Sequence, residues 1–206
     1  MFDSQKLDQF IKKANVAHQQ FCVWFSTNNK LAKYQKDWDQ LESFGILIKR
    51  NDFRYENFWN IVLPTLQHSW VLSTARLLDP AYNFNDKKIK NKPRICLDYI
   101  LSLLSDKTLE DNIRIELENH QTFTECIRQL RHNVYVHNDA QFKAVKIEAG
   151  VEIFFEWLEV MIERIKKAEN CLKLGNINTL TNVELSQRGV DNIFKDIITG
   201  RSVDIN

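Results

Sequence analysis

Glycine and proline are scarce in this chain: five glycines and three prolines in 206 residues, where average usage would place about fourteen and about ten. Sandwiches, barrels and doubly wound sheets need many tight turns, and tight turns lean on those two residues. Few turns mean few, long elements, which are helices. The closest glycines, Gly189 and Gly200, are too far apart for a G-x-G-x-x-G or phosphate-loop motif, so nucleotide binding of the glycine-rich kind is excluded. Charge of one sign is also missing: 28 basic residues face 27 acidic ones. Any anion site must therefore come from local clustering, not from a global field. The apolar runs are a few residues long, far short of the ~18 that a membrane span requires, so no membrane partner is expected. The N-terminal MFDSQKLDQF lacks a signal-peptide pattern. The four cysteines, Cys22, Cys96, Cys126 and Cys171, form no C-x-x-C and no zinc-type spacing with histidine. They read as reduced, buried thiols of a cytoplasmic protein, with no metal and no cofactor expected.

What is present is a 44% hydrophobic fraction laid out at helical period. Leu7, Phe10, Ile11, Ala14, His18, Phe21, Cys22 and Phe25 predict an amphipathic helix over about 4–25. Leu31, Tyr34, Trp38 and Leu41 continue it, with Gly45 as a stop. Tyr55, Phe58, Trp59, Val62, Leu66, Trp70 and Leu77 mark a helix of about 52–79, kinked or broken at Pro64 and ended by Pro80. Residues 81–92 are polar and basic and read as a loop. Pro93 suits the first turn of the next helix, and Thr108 to Asp111 is box-like at the start of another. Phe123, Ile127, Leu130, Val134 and His137 predict a helix over about 121–137. Val151, Phe154, Phe155, Leu158, Ile162 and Ile165 predict one over about 147–172. A capping-box match at Thr181 to Glu184 opens a last one over about 182–199. The expectation is one all-α domain over 1–206: an antiparallel bundle with its core at about 52–173 and extra N- and C-terminal helices.

Most polar residues have a structural explanation. Glu148, Glu152 and Glu156 stand four apart, but a di-metal bundle needs Glu-x-x-His partners that are missing, so they read as a solvated face. His18 lies in an apolar stripe and reads as a hydrogen-bonded core histidine. His120 reads as a surface group, and Arg76 and Asp79, three apart, as a local salt bridge. The exception is LRHNVYVHND at 130–139, which gathers Arg131, His132, Asn133, Tyr135, His137, Asn138 and Asp139, with Arg128 one turn earlier. Imidazole moves protons near neutral pH, and guanidinium is the preferred partner of phosphate. Metal-free RNA cleavage needs those two groups. At about 100° and 1.5 Å per residue, Arg131 and His137 stand roughly 120° apart around the helix and about 9 Å apart along it. They flank the apolar stripe, so a two-fold dimer packed through this helix can set an arginine edge against a histidine edge. Asn133, four before His137, shares its face and can orient the imidazole.

Arg131, five residues, then His137 fits the R-x(4–6)-H motif, and the chain resembles the HEPN superfamily. It is most similar to the abortive-infection branch, whose motif reads roughly L-R-N-x-x-x-A-H-x-D, matched here by Leu130, Arg131, His137 and Asp139. The segment SWVLSTARLLDP, 69–80, looks like the helix end that precedes the motif in that branch. The residue after the arginine, usually Asn or Asp, is here His132, with Asn133 one place later. The resemblance implies a bundle of HEPN type and a homodimeric, metal-independent endoribonuclease cutting single-stranded RNA, used as a toxin or in abortive-infection, antiviral defence. It implies catalysis by Arg131 and His137, with Arg128, His132, Asn133, Tyr135 and Asp139 binding substrate or supporting. The basic residues Lys87, Lys88, Lys90, Lys92 and Arg94 are then candidates for gathering the RNA backbone. Two alternatives stay open: a non-catalytic HEPN module that binds a nucleotide or a partner, and the toxin half of a toxin–antitoxin pair. In the second, a nucleotidyltransferase-like antitoxin silences the motif, with Tyr135 the candidate modified residue.

Overall fold

Before Gly45 the sequence has neither glycine nor proline, and the chain begins as one helix, α1 (Ser4–Ser43). Asp3 starts it by accepting the N–H groups of Gln5 and Lys6 at 3.1 and 3.2 Å, two of the donors that a helix N-terminus leaves unpaired. This computed structural model describes residues 2–43, 53–81, 93–136 and 148–198, with side chains except at 34–43, 53–60, 133–136, 148–149 and 196–198. The remaining helices are α2 (Phe53–Leu78), α3 (Leu97–Ser102), α4 (Lys107–Glu118), α5 (Gln121–Val136), α6 (Glu148–Ala168) and α7 (Thr179–Ile198). The fold is all-α, with no strand among the described residues. None of these helices is long and apolar enough to cross a membrane.

Several helix ends differ from expectation, each for a local reason. Helix α2 is not broken at Pro64 but continues to Leu78, with Pro64 on its exposed side. Pro93 lies before α3, not in its first turn; the helix starts at Leu97 after the extended Cys96. The cap of α4 is Asp106, whose extended backbone lets its carboxylate accept the Leu109 N–H at 3.1 Å, so Thr108 falls inside the first turn. Helix α6 stops at Ala168 because Asn170 takes a positive φ of 53°. The Cys171 N–H then bonds Lys166 C=O and the Asn170 N–H bonds Lys167 C=O, the crossed pair of a Schellman stop. The last helix opens early: the Asn182 N–H already bonds Asn178 C=O at 2.9 Å, so Thr181 is an interior residue.

The predicted stripes meet in one core. Leu7, Phe10, Ala14 and Phe21 of α1 are fully buried with Trp70 and Leu77 of α2, Ile100 of α3, Ile113 of α4 and Ile127 of α5. The α6 stripe is buried without exception, from Val151 through Phe154, Phe155, Leu158 and Ile162 to Ile165. Phe21 and Trp24 pack on the Trp70 ring at 5.4 and 5.6 Å between centroids, which fastens α1 to α2. Outside the stripe, Glu152 and Glu156 are exposed, as a solvated face requires. His120 departs from its expected surface place: it is half-buried, its ring 4.8 Å from Trp157 and 5.8 Å from Phe154, and burial lowers its pKa. All four thiols are free; Cys22 and Cys96 are buried, while Cys126 and Cys171 are half-buried. Burial raises each pKa, that of Cys22 to about 12, which removes the thiolate that reactivity needs.

Helix α7 is joined to α1 by polar contacts. Asn15 Nδ2 donates to Asn176 C=O at 2.9 Å, and Asn15 Oδ1 accepts from the Asn178 N–H and from Asn182 Nδ2. Lys30 reaches Asp191 at 2.6 Å, so the contacts advance together along both helices and α7 runs parallel to α1. Within this seam His18 is buried and hydrogen-bonded, as its place in the stripe suggested. Asn182 Nδ2 lies 3.2 Å from Nδ1, and Cys22 Sγ 3.5 Å from Nε2. An amide nitrogen can only donate, so Nδ1 accepts and the proton sits on Nε2, the neutral form.

Burial lowers the His18 pKa from 6.5 to about 4. The unfolded chain therefore takes up a proton below pH 6.5 that the folded chain refuses until about pH 4. The stability contributed by the neutral ring is complete above pH 6.5 and is lost as pH falls from there towards 4. At pH 5 the loss should be roughly 2 kcal/mol, at about 1.4 kcal/mol per unit. Denaturant unfolding at pH 7 and pH 5 tests this against His18→Gln, which does not titrate. A wild type that loses no more stability than the variant would show that His18 is not held neutral.

Candidate functional site

Pro80 disfavours helical geometry in the residue before it, so α2 ends at Leu78 and Asp79 is the first residue beyond. Leu77 and Leu78 are buried and anchor this end. Along α5, Phe123, Ile127 and Leu130 face the core at steps of four and three. Arg131 follows Leu130 at the edge of that stripe and turns its guanidinium to Asp79, where Nη1 donates to Oδ1. A second arginine reaches the same carboxylate: Arg94 Nη1 donates to Oδ2 at 3.2 Å. The Arg94 N–H also donates to Ala81 C=O at 2.8 Å, which ties the start of the third helix's approach to the end of the second. Ala81 N–H donates in turn to Asp98 at 3.1 Å, and Asp98 accepts from Arg114, which also grips Glu110. Burial raises the carboxyl of Glu110, and the cations Lys107 and Arg114 more than reverse this, so its pKa lies below the usual range.

The shared carboxylate is mostly covered, with 14% of its side chain exposed, while the Arg131 and Arg94 side chains are 38% and 39% exposed. One negative charge shared by two positive ones leaves a local excess of one positive charge, on side chains that are partly exposed. That arrangement can hold an anion, and charge-assisted hydrogen bonds from a planar fork suit phosphate.

Of the residues singled out in the sequence, Arg131 is placed with a defined partner, and Arg128 and His132 are exposed on α5. Asn133 and Tyr135 belong to the helical span of α5, but their side chains are outside the described set. His137, Asn138 and Asp139 lie outside the described residues, as do Lys87, Lys88, Lys90 and Lys92. The Arg76–Asp79 pair expected from their spacing does not form: Arg76 is exposed, and Asp79 serves Arg131 and Arg94 instead. The tertiary pairing overrides the local one because α2 packs against α5 and the Arg131 guanidinium reaches Asp79. Asp79 is the functional candidate that sequence reasoning passed over. Its signal was an acidic residue before a helix-ending proline, within the segment that already looked like the approach to the motif. Among the described residues no three His, Cys, Asp or Glu side chains converge as a metal site requires.

Fold and site together define an all-α helical bundle with an arginine pair on one carboxylate. Comparison with protein-family models, curated proteins and solved structures gives no match.

Proposed function

We propose that this chain is a metal-independent endoribonuclease of HEPN type, cutting single-stranded RNA as a homodimer and acting as a toxin or antiphage effector. The observation that carries the reading is Arg131: an arginine on the motif helix whose guanidinium is steered by Asp79 and whose side chain is partly exposed. Support comes from the all-helical fold and from the way the two segments of the resemblance, 69–80 and 130–139, meet through that ion pair.

In this mechanism His137 takes the proton of a ribose 2′-hydroxyl. The 2′-oxygen attacks the adjacent phosphorus and the bond to the 5′-oxygen breaks. The proton returns to that 5′-oxygen, leaving a 2′,3′-cyclic phosphate and a 5′-hydroxyl. Arg131 offsets the charge that builds on the phosphate oxygens in the transition state. Arg128, His132 and Asn133 position the strand, and a nucleotidyltransferase-like antitoxin is a partner that would silence it.

The test is end-group analysis of RNA treated with the purified protein. Single-stranded RNA should be cut to 2′,3′-cyclic phosphate and 5′-hydroxyl ends, and the same sequence as DNA should survive, because it lacks the nucleophile. EDTA should leave the rate unchanged, because the acting groups are an imidazole and a guanidinium. Products with 5′-phosphate ends, or cleavage of DNA, would overturn the mechanism.

A further inference from the structure

The arginines of this structure that form ion pairs do not all do so in the same way. Arg164 has the Glu116 carboxylate as its partner, and both oxygens accept from its Nη1 at 2.6 and 2.7 Å. Arg114 has two carboxylates and commits three nitrogens, Nε and Nη2 to Glu110 and Nη1 to Asp98. At Asp79 the ratio is inverted: two guanidiniums share one carboxylate, each through a single nitrogen. Among the described residues neither has a second carboxylate. A guanidinium carries five N–H donors, so most of the donors of this pair are left for something else. Two like charges brought to one small group repel, and the carboxylate between them lowers that cost without cancelling the second charge. Asp79 is mostly covered while both arginine side chains are more exposed, so the pair is reachable from solvent on the arginine side. A phosphate diester carries one negative charge on two non-bridging oxygens, which matches the missing charge and offers one oxygen to each guanidinium.

We propose that Arg94 is a second phosphate-binding residue of the Arg131 site, and that Asp79 is the positioning residue that holds the two guanidiniums side by side. This rests on reading Arg131 as a phosphate-binding residue. Arg94 is 37 positions from Arg131 in the chain and stands outside the motif helix, so the motif alone does not reach it.

The experiment follows the arginine side-chain Nε–H signals of the full chain by NMR while inorganic phosphate is added. The Arg94 and Arg131 signals should move together and share one midpoint. Arg94→Gln should weaken phosphate binding about tenfold, and in Asp79→Asn the two arginine signals should no longer move in step, although the amide spectrum stays that of a folded protein. A purely structural Asp79 would not uncouple them. If Arg94→Gln does not fold, Arg94→Lys replaces it; it keeps the charge but loses the planar fork, and the same weakening is expected. A titration in which Arg131 moves alone, no response from either arginine, or an Arg94 variant that binds phosphate as the wild type does overturns the proposal. RNA cleavage measured on the same proteins separates the two readings. Cleavage with phosphate binding indifferent to Arg94 removes the clamp and leaves the ribonuclease. A joint titration without cleavage leaves the clamp and removes the ribonuclease.

Discussion

Replacing His137 by alanine is expected to lower RNA cleavage by about 10²–10⁴-fold, the usual contribution of a positioned acid or base. Arg131→Ala should lower it by about 10²–10³-fold, the scale for losing one donor that stabilises transition-state charge. Arg131→Lys should recover little, because an ammonium keeps the charge and loses the fork that meets both Asp79 and phosphate. Initial rates on a labelled single-stranded RNA measure all three, with sedimentation showing that each variant assembles as the wild type does. The pH profile adds a check, since a His137 base requires the rate to fall on the acid side as the imidazole is protonated. A His137→Ala dimer that cuts at the wild-type rate would remove the catalytic assignment and make the non-catalytic binding module the leading account. The stability of Arg131→Ala is informative too. Arg94 still pairs with Asp79 in that variant, so the carboxylate is not stranded and the protein should remain folded.

The second large effect is on stability. Phe155 is fully buried on α6, with its ring 4.8 Å from His18 of α1 and 5.5 Å from Phe154. Phe155→Ala removes a large side chain from the seam between α1 and α6 and should cost about 3–5 kcal/mol, the range for such truncations in a core that relaxes only partly. Domains are stable by only about 5–15 kcal/mol in total, so this variant can sit near the edge of folding. Phe155→Leu, which keeps most of the volume, should cost about 1.5 kcal/mol or less and gives a measurable transition in any case. Chemical denaturation followed by tryptophan fluorescence reads both. A loss under about 1 kcal/mol in Phe155→Ala would mean that α6 does not pack on His18 as described.

The α6 stripe shows why so much of the fold was legible. Val151, Phe154, Phe155, Leu158, Ile162 and Ile165 are all buried, and no other backbone geometry brings residues at those spacings to one side. The same holds for Leu7 to Cys22 in α1 and for Phe123, Ile127 and Leu130 in α5. Helix ends were less legible, since they depend on backbone torsion at one or two residues. Asp106 caps α4 instead of Thr108 because it is the residue with extended backbone, and Asn170 ends α6 because it adopts a left-handed conformation. Both are residue types that favour those positions, but Thr108 and other polar neighbours compete for them, and the local backbone torsion decides.

The candidate site divides in the same way. The clustering of Arg131, His132, Asn133 and His137 could be read along the chain, because these residues are near neighbours on one segment. Their partner could not. Asp79 had Arg76 within helical reach, and sequence spacing favours that pair. It bonds instead to Arg131, 52 residues away, and to Arg94, 15 away, because α2 ends beside α5 and the chain returns past both. By itself the sequence determined an all-helical chain, the faces its helices bury and the segment that carries a histidine and an arginine together. Helical period is a local property, and burial follows from it. Which carboxylate meets which guanidinium was decided only by the tertiary structure. A long charged side chain has many partners within reach, and the packing of the helix ends selects among them.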